Sequence, residues 1–147
     1  MTRNYEKYIV TQPEFVKELP YHDLTKISGF TFPDEVYLNK DILNEARTWL
    51  DIMWFWELPD PRVMPDLHSH PFNEIVLLIG SNPRNLRELG GEIEWTMGAG
   101  PDAETYKLTS TTLIYVPHGL FHGPMRFIRV DRPICNIAIG LNTNEYV

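Results

Sequence analysis

The chain has 147 residues, of which 43% are hydrophobic and 22% are charged, so it can bury a core as one globular domain and is not disordered. A net charge of −7, with no stretch rich in lysine or arginine, excludes a nucleic-acid-binding surface. No apolar run approaches the roughly 18 residues that a membrane span requires.

The single cysteine, Cys135, has no partner for an intramolecular disulfide, and residues 1–8 contain no apolar signal core. We therefore expect a cytoplasmic protein. The 12 prolines favour many turns and short strands over long helices.

The N-terminal third predicts short elements only. Pro13 can begin a helical turn that Pro20 ends, residues 27–33 resemble a short strand, and residues 41–48 can form another helical turn. Residues 49–56 then alternate as a strand, and the loop at 58–61 ends it. One face of this strand carries Leu50, Ile52, Trp54 and Trp56, and the other carries Trp49, Asp51, Met53 and Phe55.

The most informative stretch is the run from His68 to Gly80. Side chains of an extended strand alternate between its faces, so His68, His70 and Glu74, all at even positions, can point the same way. The run 75–79 that follows is apolar at every position. Val76 and Leu78 should line the interior, in phase with Glu74, while the other face needs cover from the N-terminal segment or a second subunit. We expect a homodimer.

The stretch from Pro117 to His122 predicts a tight turn, with Gly119 free to adopt a positive φ, and places His122 at the start of another strand. With the first stretch it supplies three imidazole nitrogens and one carboxylate. That donor set suits one divalent ion of iron, manganese, zinc, nickel or copper.

The remaining segments predict short elements around these motifs. Asn82, Pro83 and Gly90 indicate a short helix over 81–90. Residues 91–97 and 104–108 indicate a hairpin, and strands are expected at 113–116, 125–130 and 134–141. Regularly spaced short strands favour a closed or double-sheet β architecture.

The spacings H-x-H-x3-E in residues 68–74 and P-x-G-x2-H in 117–122 resemble the two motifs of the cupin superfamily. The pattern departs from the superfamily at the opening glycines, replaced by Arg62 and Thr111, at Gly80, which comes one residue early, and at Arg126, where asparagine is usual. His118 is not at a ligand position of the superfamily, and His22 is isolated, so neither is expected to bind metal.

The resemblance implies an all-β, double-stranded β-helix or jelly-roll barrel with a few short helical turns. It implies a single domain over 1–147, with an N-terminal arm of strands over 1–48 and the barrel over 49–141. The metal ligands it implies are His68, His70, Glu74 and His122. The superfamily includes dioxygenases, decarboxylases, isomerases, lyases and non-catalytic binding proteins.

We therefore expect a metal-dependent enzyme of dioxygenase or decarboxylase type acting on a small oxygen-bearing substrate, aromatic or carboxylated, with a non-catalytic small-molecule-binding protein as the alternative. Arg126, in phase with His122, can face the cavity and hold a carboxylate, or it can point into solvent. Tyr115 and Glu94 are candidate acid–base residues, and Tyr115 is preferred with Arg126 as catalytic. The expected pocket lining is Trp54, Trp56, Phe72, Tyr115 and Phe121.

Overall fold

A computed structural model describes residues 4–22 and 27–147 and shows an almost entirely β protein. Across these residues the strands are β1 (Glu14–Val16), β2 (Ser28–Phe30), β3 (Asp34–Leu38), β4 (Thr48–Asp60), β5 (Val63–Met64), β6 (Asn73–Gly80), β7 (Glu88–Met97), β8 (Glu104–Ser110), β9 (Thr112–Val116), β10 (His122–Val130) and β11 (Ile134–Leu141). Two 3-10 turns, Glu6–Tyr8 and Gly100–Asp102, are the helical content of the described segments.

The strands form two antiparallel sheets. The larger runs β1-β3-β4-β11-β6-β9, with β2 beside β4, and the smaller runs β5-β10-β7-β8. From β4 to β7, and again from β8 to β11, consecutive strands alternate between the two sheets, which is the pattern of a jelly roll. The predicted all-β barrel is confirmed, and the N-terminal strands β1 to β3 extend its larger sheet.

The core lies between the two sheets. Phe55 of β4 packs against Phe127 of β10 with ring centroids 4.4 Å apart, and both side chains are fully buried. The predicted alternation holds along β4 and β6, whose inward faces carry Phe55 and Leu78. β4 continues to Asp60, so the predicted end of this strand before residue 58 is wrong.

The helical turns predicted at 13–19, 41–48 and 81–90 are wrong. Residues Glu14–Val16 pair with β3 as a strand. Asn39 Oδ1 accepts the backbone N–H groups of Asp41 and Ile42, and Asn82 Oδ1 accepts that of Arg84. Here these side-chain bonds close isolated turns, because segments this short do not supply the contacts that offset helix nucleation.

Over the described part of the chain, no helix has the length and apolar character needed to cross a membrane.

Candidate metal centre

The four predicted ligands come together at one end of the barrel. His122 begins β10, and its backbone exchanges two hydrogen bonds with His68, at 2.9 and 3.1 Å, which fixes the first motif against the smaller sheet. Glu74 is the second residue of β6 and points inward. All four side chains are buried.

Their donor atoms converge. The ligating nitrogens of the three histidines lie within 4.8 Å of one another. His68 Nε2 is 3.0 Å from His70 Nε2, and Glu74 Oε2 is 3.3 Å from His70 Nε2 and 3.2 Å from His122 Nε2. Neighbouring ligands of an octahedral ion with bonds of about 2.1 Å lie about 3.0 Å apart, so these separations fit one divalent ion.

The outer nitrogen of each imidazole fixes its tautomer. Nδ1 of His68, His70 and His122 lies 2.5, 2.5 and 3.0 Å from the backbone oxygens of Asp66, Val147 and Leu120. Because a carbonyl oxygen only accepts, each Nδ1 carries the proton and each Nε2 turns a lone pair inward.

The electrostatics of the cluster favour a bound cation. Burial lowers the pKa of His68 to about 4, so its ring is neutral at pH 7. Glu74 Oε2 has no hydrogen-bond partner among the described residues. Lone pairs and an anionic oxygen thus face one another, an arrangement that a divalent cation satisfies.

Aromatic rings hold the imidazoles in place. Tyr21 stacks on His68 with centroids 4.4 Å apart, and Phe72 stacks on His70 at 4.6 Å. Tyr146 packs against His70 at 4.9 Å. With these contacts the ring planes are set before an ion binds, which reduces the ordering cost of binding.

The turn that delivers His122 is bonded to the first motif. Gly119, at φ +78°, donates its N–H to the backbone oxygen of His70 at 2.9 Å, which agrees with the predicted positive φ. His118 donates its backbone N–H to Asn73 Oδ1 at 2.8 Å, and its side chain is exposed. The side chain of His118 therefore takes no part in the cluster, as expected.

A cavity of about 60 Å³ opens beside the cluster, and His68, Glu74 and His122 form part of its wall. The rest of the lining is mostly apolar or aromatic, and its polar side chains are His22, Asp51 and Asn136, besides the Tyr146 hydroxyl. The other lining residues are Leu19, Trp49, Met53, Phe55, Met64, Pro65, Val76, Trp95, Met125 and Ala138.

The cavity is lined by aromatic residues, but not by the aromatic residues that were predicted. Trp54, Trp56, Tyr115 and Phe121 are exposed on the outside of the barrel, and Phe72 is buried behind His70. The aromatic residues that line the cavity are Trp49, Phe55, Trp95 and Tyr146. The physical reason on β4 is simple alternation, because the odd-numbered residues face inward and the even-numbered tryptophans face outward.

The predicted orientation of Arg126 is also wrong. Three residue steps on β10, from His122 to Met125, oppose two on β7, from Met97 to Trp95, so β10 contains a bulge. One extra residue reverses the phase of the strand. Met125 therefore points inward, and the Arg126 side chain, 61% exposed, lies 3.9 Å from Glu94 on the surface.

Tyr115 lies on the outward face of β9, opposite Ile75, with 49% of its surface exposed. It does not line the cavity, so the structure does not support the catalytic role predicted for it. Neither motif indicated Tyr21 or Tyr146, because both residues lie far from the two motifs along the chain. Asp51 was recognisable as a carboxylate on the buried face of an apolar strand.

Comparison with known proteins yields structural relatives only. No family model matches the chain, and no curated protein matches it. Among solved structures, Fe(II)-HppE with the alternative substrate (S)-1-HPP has a TM-score of 0.56 at 12% identity, covering 90% of this chain and 60% of that one. A mutant of Bacillus subtilis oxalate decarboxylase has a TM-score of 0.53 at 19% identity, covering 100% of this chain and 36% of that one.

The fold and the cluster together define a small double-sheet β-barrel with a buried site of three histidines and one carboxylate. The chain has the cupin fold, as its two motifs predicted, and the site for one divalent metal ion is confirmed by the three-histidine group. The chain spans 60% of the length of HppE and 36% of that of the decarboxylase.

Proposed function

We propose that the protein is a metal-dependent enzyme acting on a small oxygen-bearing substrate, with His68, His70, Glu74 and His122 as the ligands of one divalent ion. The observation that carries this proposal is the convergence of three Nε2 lone pairs and the Glu74 carboxylate at the wall of a cavity. Iron(II) and manganese(II) are the first candidates, because these ions occur in the structural relatives HppE and oxalate decarboxylase.

The protein's own residues define what the site can do. Four protein ligands leave two positions of a six-coordinate ion for substrate or dioxygen. A divalent ion there would act as a Lewis acid toward a substrate oxygen. Glu74 offsets one unit of the ion's charge, and the Nδ1–H hydrogen bonds hold the imidazole rings of the histidine ligands in place. The apolar walls formed by Phe55, Val76 and Trp95 limit the access of water to the ion.

The test begins with protein purified and reconstituted anaerobically with Fe(II), Mn(II) or Zn(II). Elemental analysis should find one ion per chain in the wild type and in His118→Ala, whose imidazole is exposed, and far less in His122→Ala. Retention of stoichiometric metal by a folded His122→Ala variant contradicts the ligand assignment.

Oxygen uptake and carbon dioxide release are then measured with a panel of small hydroxy, oxo and carboxylic acids. Turnover that depends on the metal supports an enzyme of dioxygenase or decarboxylase type. Metal and ligand binding without turnover across the panel favours the alternative, a non-catalytic binding protein.

We also propose that two copies associate through the outer face of the larger sheet. Three side-chain rows cross it in register: Tyr115, Ile75, Ile139 and Leu50 in the first; Leu113, Leu77, Ile137 and Ile52 in the second; Ile79, Cys135 and Trp54 in the third. We call this set the outer apolar face. It contains no charged residue, so a second copy meets it without like-charge repulsion, and an apolar surface of this extent is typical of interfaces.

Light scattering at micromolar concentration tests the association. The wild type should have the mass of a dimer, Leu113→Glu on the outer apolar face should be monomeric, and Leu86→Glu should remain dimeric because Leu86 is equally exposed but lies in the turn between β6 and β7. A monomeric wild type contradicts the proposal. The cytoplasmic location stays a prediction.

A further inference from the structure

The cavity carries polar groups away from the metal ligands. Asp51 of β4 and Asn136 of β11 both line it. By strand register, Gly140 lies opposite Glu74, whereas Ala138 lies opposite Asp51. Asp51 is therefore two strands across and two residues along from Glu74, a backbone separation of about 12 Å. Asn136 lies a further two residues along β11, so these two side chains mark a second polar region.

Asp51 has a second carboxyl beside it and no cation. Asp34 of β3 faces the same interior, with 0% of its surface exposed, and neither residue forms an ion pair with a lysine or arginine of the described segments. Two buried carboxyls without a counter-charge retain a proton between them. Burial raises the pKa of both groups. Asp51 Oδ1 accepts the backbone N–H of Ala138 at 3.2 Å.

Asn136 supplies an acceptor. Its Oδ1 is buried and has no hydrogen-bond partner among residues 4–22 and 27–147. A buried amide oxygen left unpaired carries a desolvation cost, so a ligand that donates a hydrogen bond to it is favoured. Asp51 lines the cavity, and its carboxyl group when protonated can donate a hydrogen bond to the same ligand.

The charge of the cavity sets what such a ligand can be. Its described lining contains the acids Asp51 and Glu74 but no lysine or arginine, and Arg126 lies on the surface. Besides the metal ligands, the described lining holds the histidine His22, and burial lowers the pKa of that imidazole and so favours its uncharged form. A single ion at the cluster can neutralise one anionic group of a ligand. A second anionic group near Asp51 would be buried without a cation, which is strongly unfavourable.

On these grounds, and resting on the proposed function, we propose that the cavity selects a small monoanion whose charged group binds at the metal and whose other end is an uncharged hydroxyl or amide held by Asp51 and Asn136. Dianions are rejected. A volume of about 60 Å³ admits only a few water molecules, at roughly 10–15 Å³ each, so the ligand has few non-hydrogen atoms.

The matched probes are 3-hydroxypropionate and malonate, which differ chiefly in replacing the terminal hydroxymethyl group by a second carboxylate. Their affinities for the Zn(II)-loaded full chain are measured by titration calorimetry at pH 7.5. We expect 3-hydroxypropionate to bind at least tenfold more tightly. Asn136→Ala should lower its affinity about tenfold without changing the affinity for malonate, while Arg126→Ala, on the surface, should leave both unchanged.

Equal binding of the two probes, tighter binding of malonate, or binding of neither overturns the proposal. The wild-type comparison decides it even if Asn136→Ala does not fold. Metal analysis of the same samples separates the two failures: one Zn(II) per chain with no preference for the monoanion rejects the selectivity alone, whereas loss of stoichiometric metal binding rejects the proposed function.

Discussion

Gly80 closes β6 where that strand passes beneath the start of β7, and replacing it by alanine should be severely destabilising. A Cβ at this position would lie 1.8 Å from the backbone oxygen of Glu88, 2.8 Å from its carbonyl carbon and 3.0 Å from Cα of Leu89. These are backbone atoms, so no side-chain rotation relieves the overlap. The Thr111 hydroxyl accepts a hydrogen bond from the Gly80 N–H at 3.0 Å, which also holds the backbone of Gly80 in place.

The magnitude follows from this geometry. Overpacking of a rigid interior costs typically about 1–3 kcal/mol and sometimes more, and a backbone overlap places Gly80→Ala at about 3 kcal/mol or above. For a chain of this size that loss lowers the melting temperature by about 6–12 °C.

Gly119→Ala is the matched control. Gly119 has φ +78°, and no atom of the described residues lies within 4 Å of the place that an added methyl group would occupy, so the cost is conformational only, about 1 kcal/mol. Urea unfolding, followed by tryptophan fluorescence, measures both variants against the wild type. A Gly80→Ala variant as stable as Gly119→Ala would refute the reasoning, because it would mean that β6 and β7 separate at little cost.

Three further predictions concern the site and its surroundings. Free Zn(II) at 100 times its dissociation constant should stabilise the wild type and His118→Ala by about 2.7 kcal/mol, which raises the melting temperature by about 5–11 °C. His122→Ala should show no such rise in thermal scans. Arg126→Ala should change the free energy of unfolding by no more than about 0.5 kcal/mol and leave the metal content intact, because the ion pair of Arg126 with Glu94 is exposed. A larger loss of stability in urea titration would contradict the surface placement of Arg126. Burial raises the pKa values of Asp34 and Asp51 above the ordinary carboxyl value near 3.9, so the folded state favours their protonated form. The free energy of unfolding of the wild type should therefore decrease as pH rises above 3.9 through the folded pKa values. Asp34→Asn should reduce that decrease in urea titrations between pH 4 and 9, and an unchanged slope would exclude the pair as its source.

The sequence by itself determined those features that depend on near neighbours along the chain. Side chains of a strand alternate whatever surrounds it, so the inward faces of β4 and β6, the latter carrying Glu74, Val76 and Leu78, followed from residue spacing alone. The turn at Gly119 was predictable for the same reason, because its φ requirement is set within a few residues.

Only the tertiary structure decided features that depend on residues far apart in the chain. The bulge on β10 arises from pairing with β7, and it turned Arg126 outward although the spacing from His122 placed it inward. Residues 81–87 form turns and residues 88–90 begin β7, because pairing with the neighbouring strands outweighs the local helix signals. Tyr146, more than twenty residues beyond either motif, reaches His70 only because β11 lies between β4 and β6. Register, bulges and the packing of chain ends are decided by the free energy of the whole barrel, which no local pattern encodes.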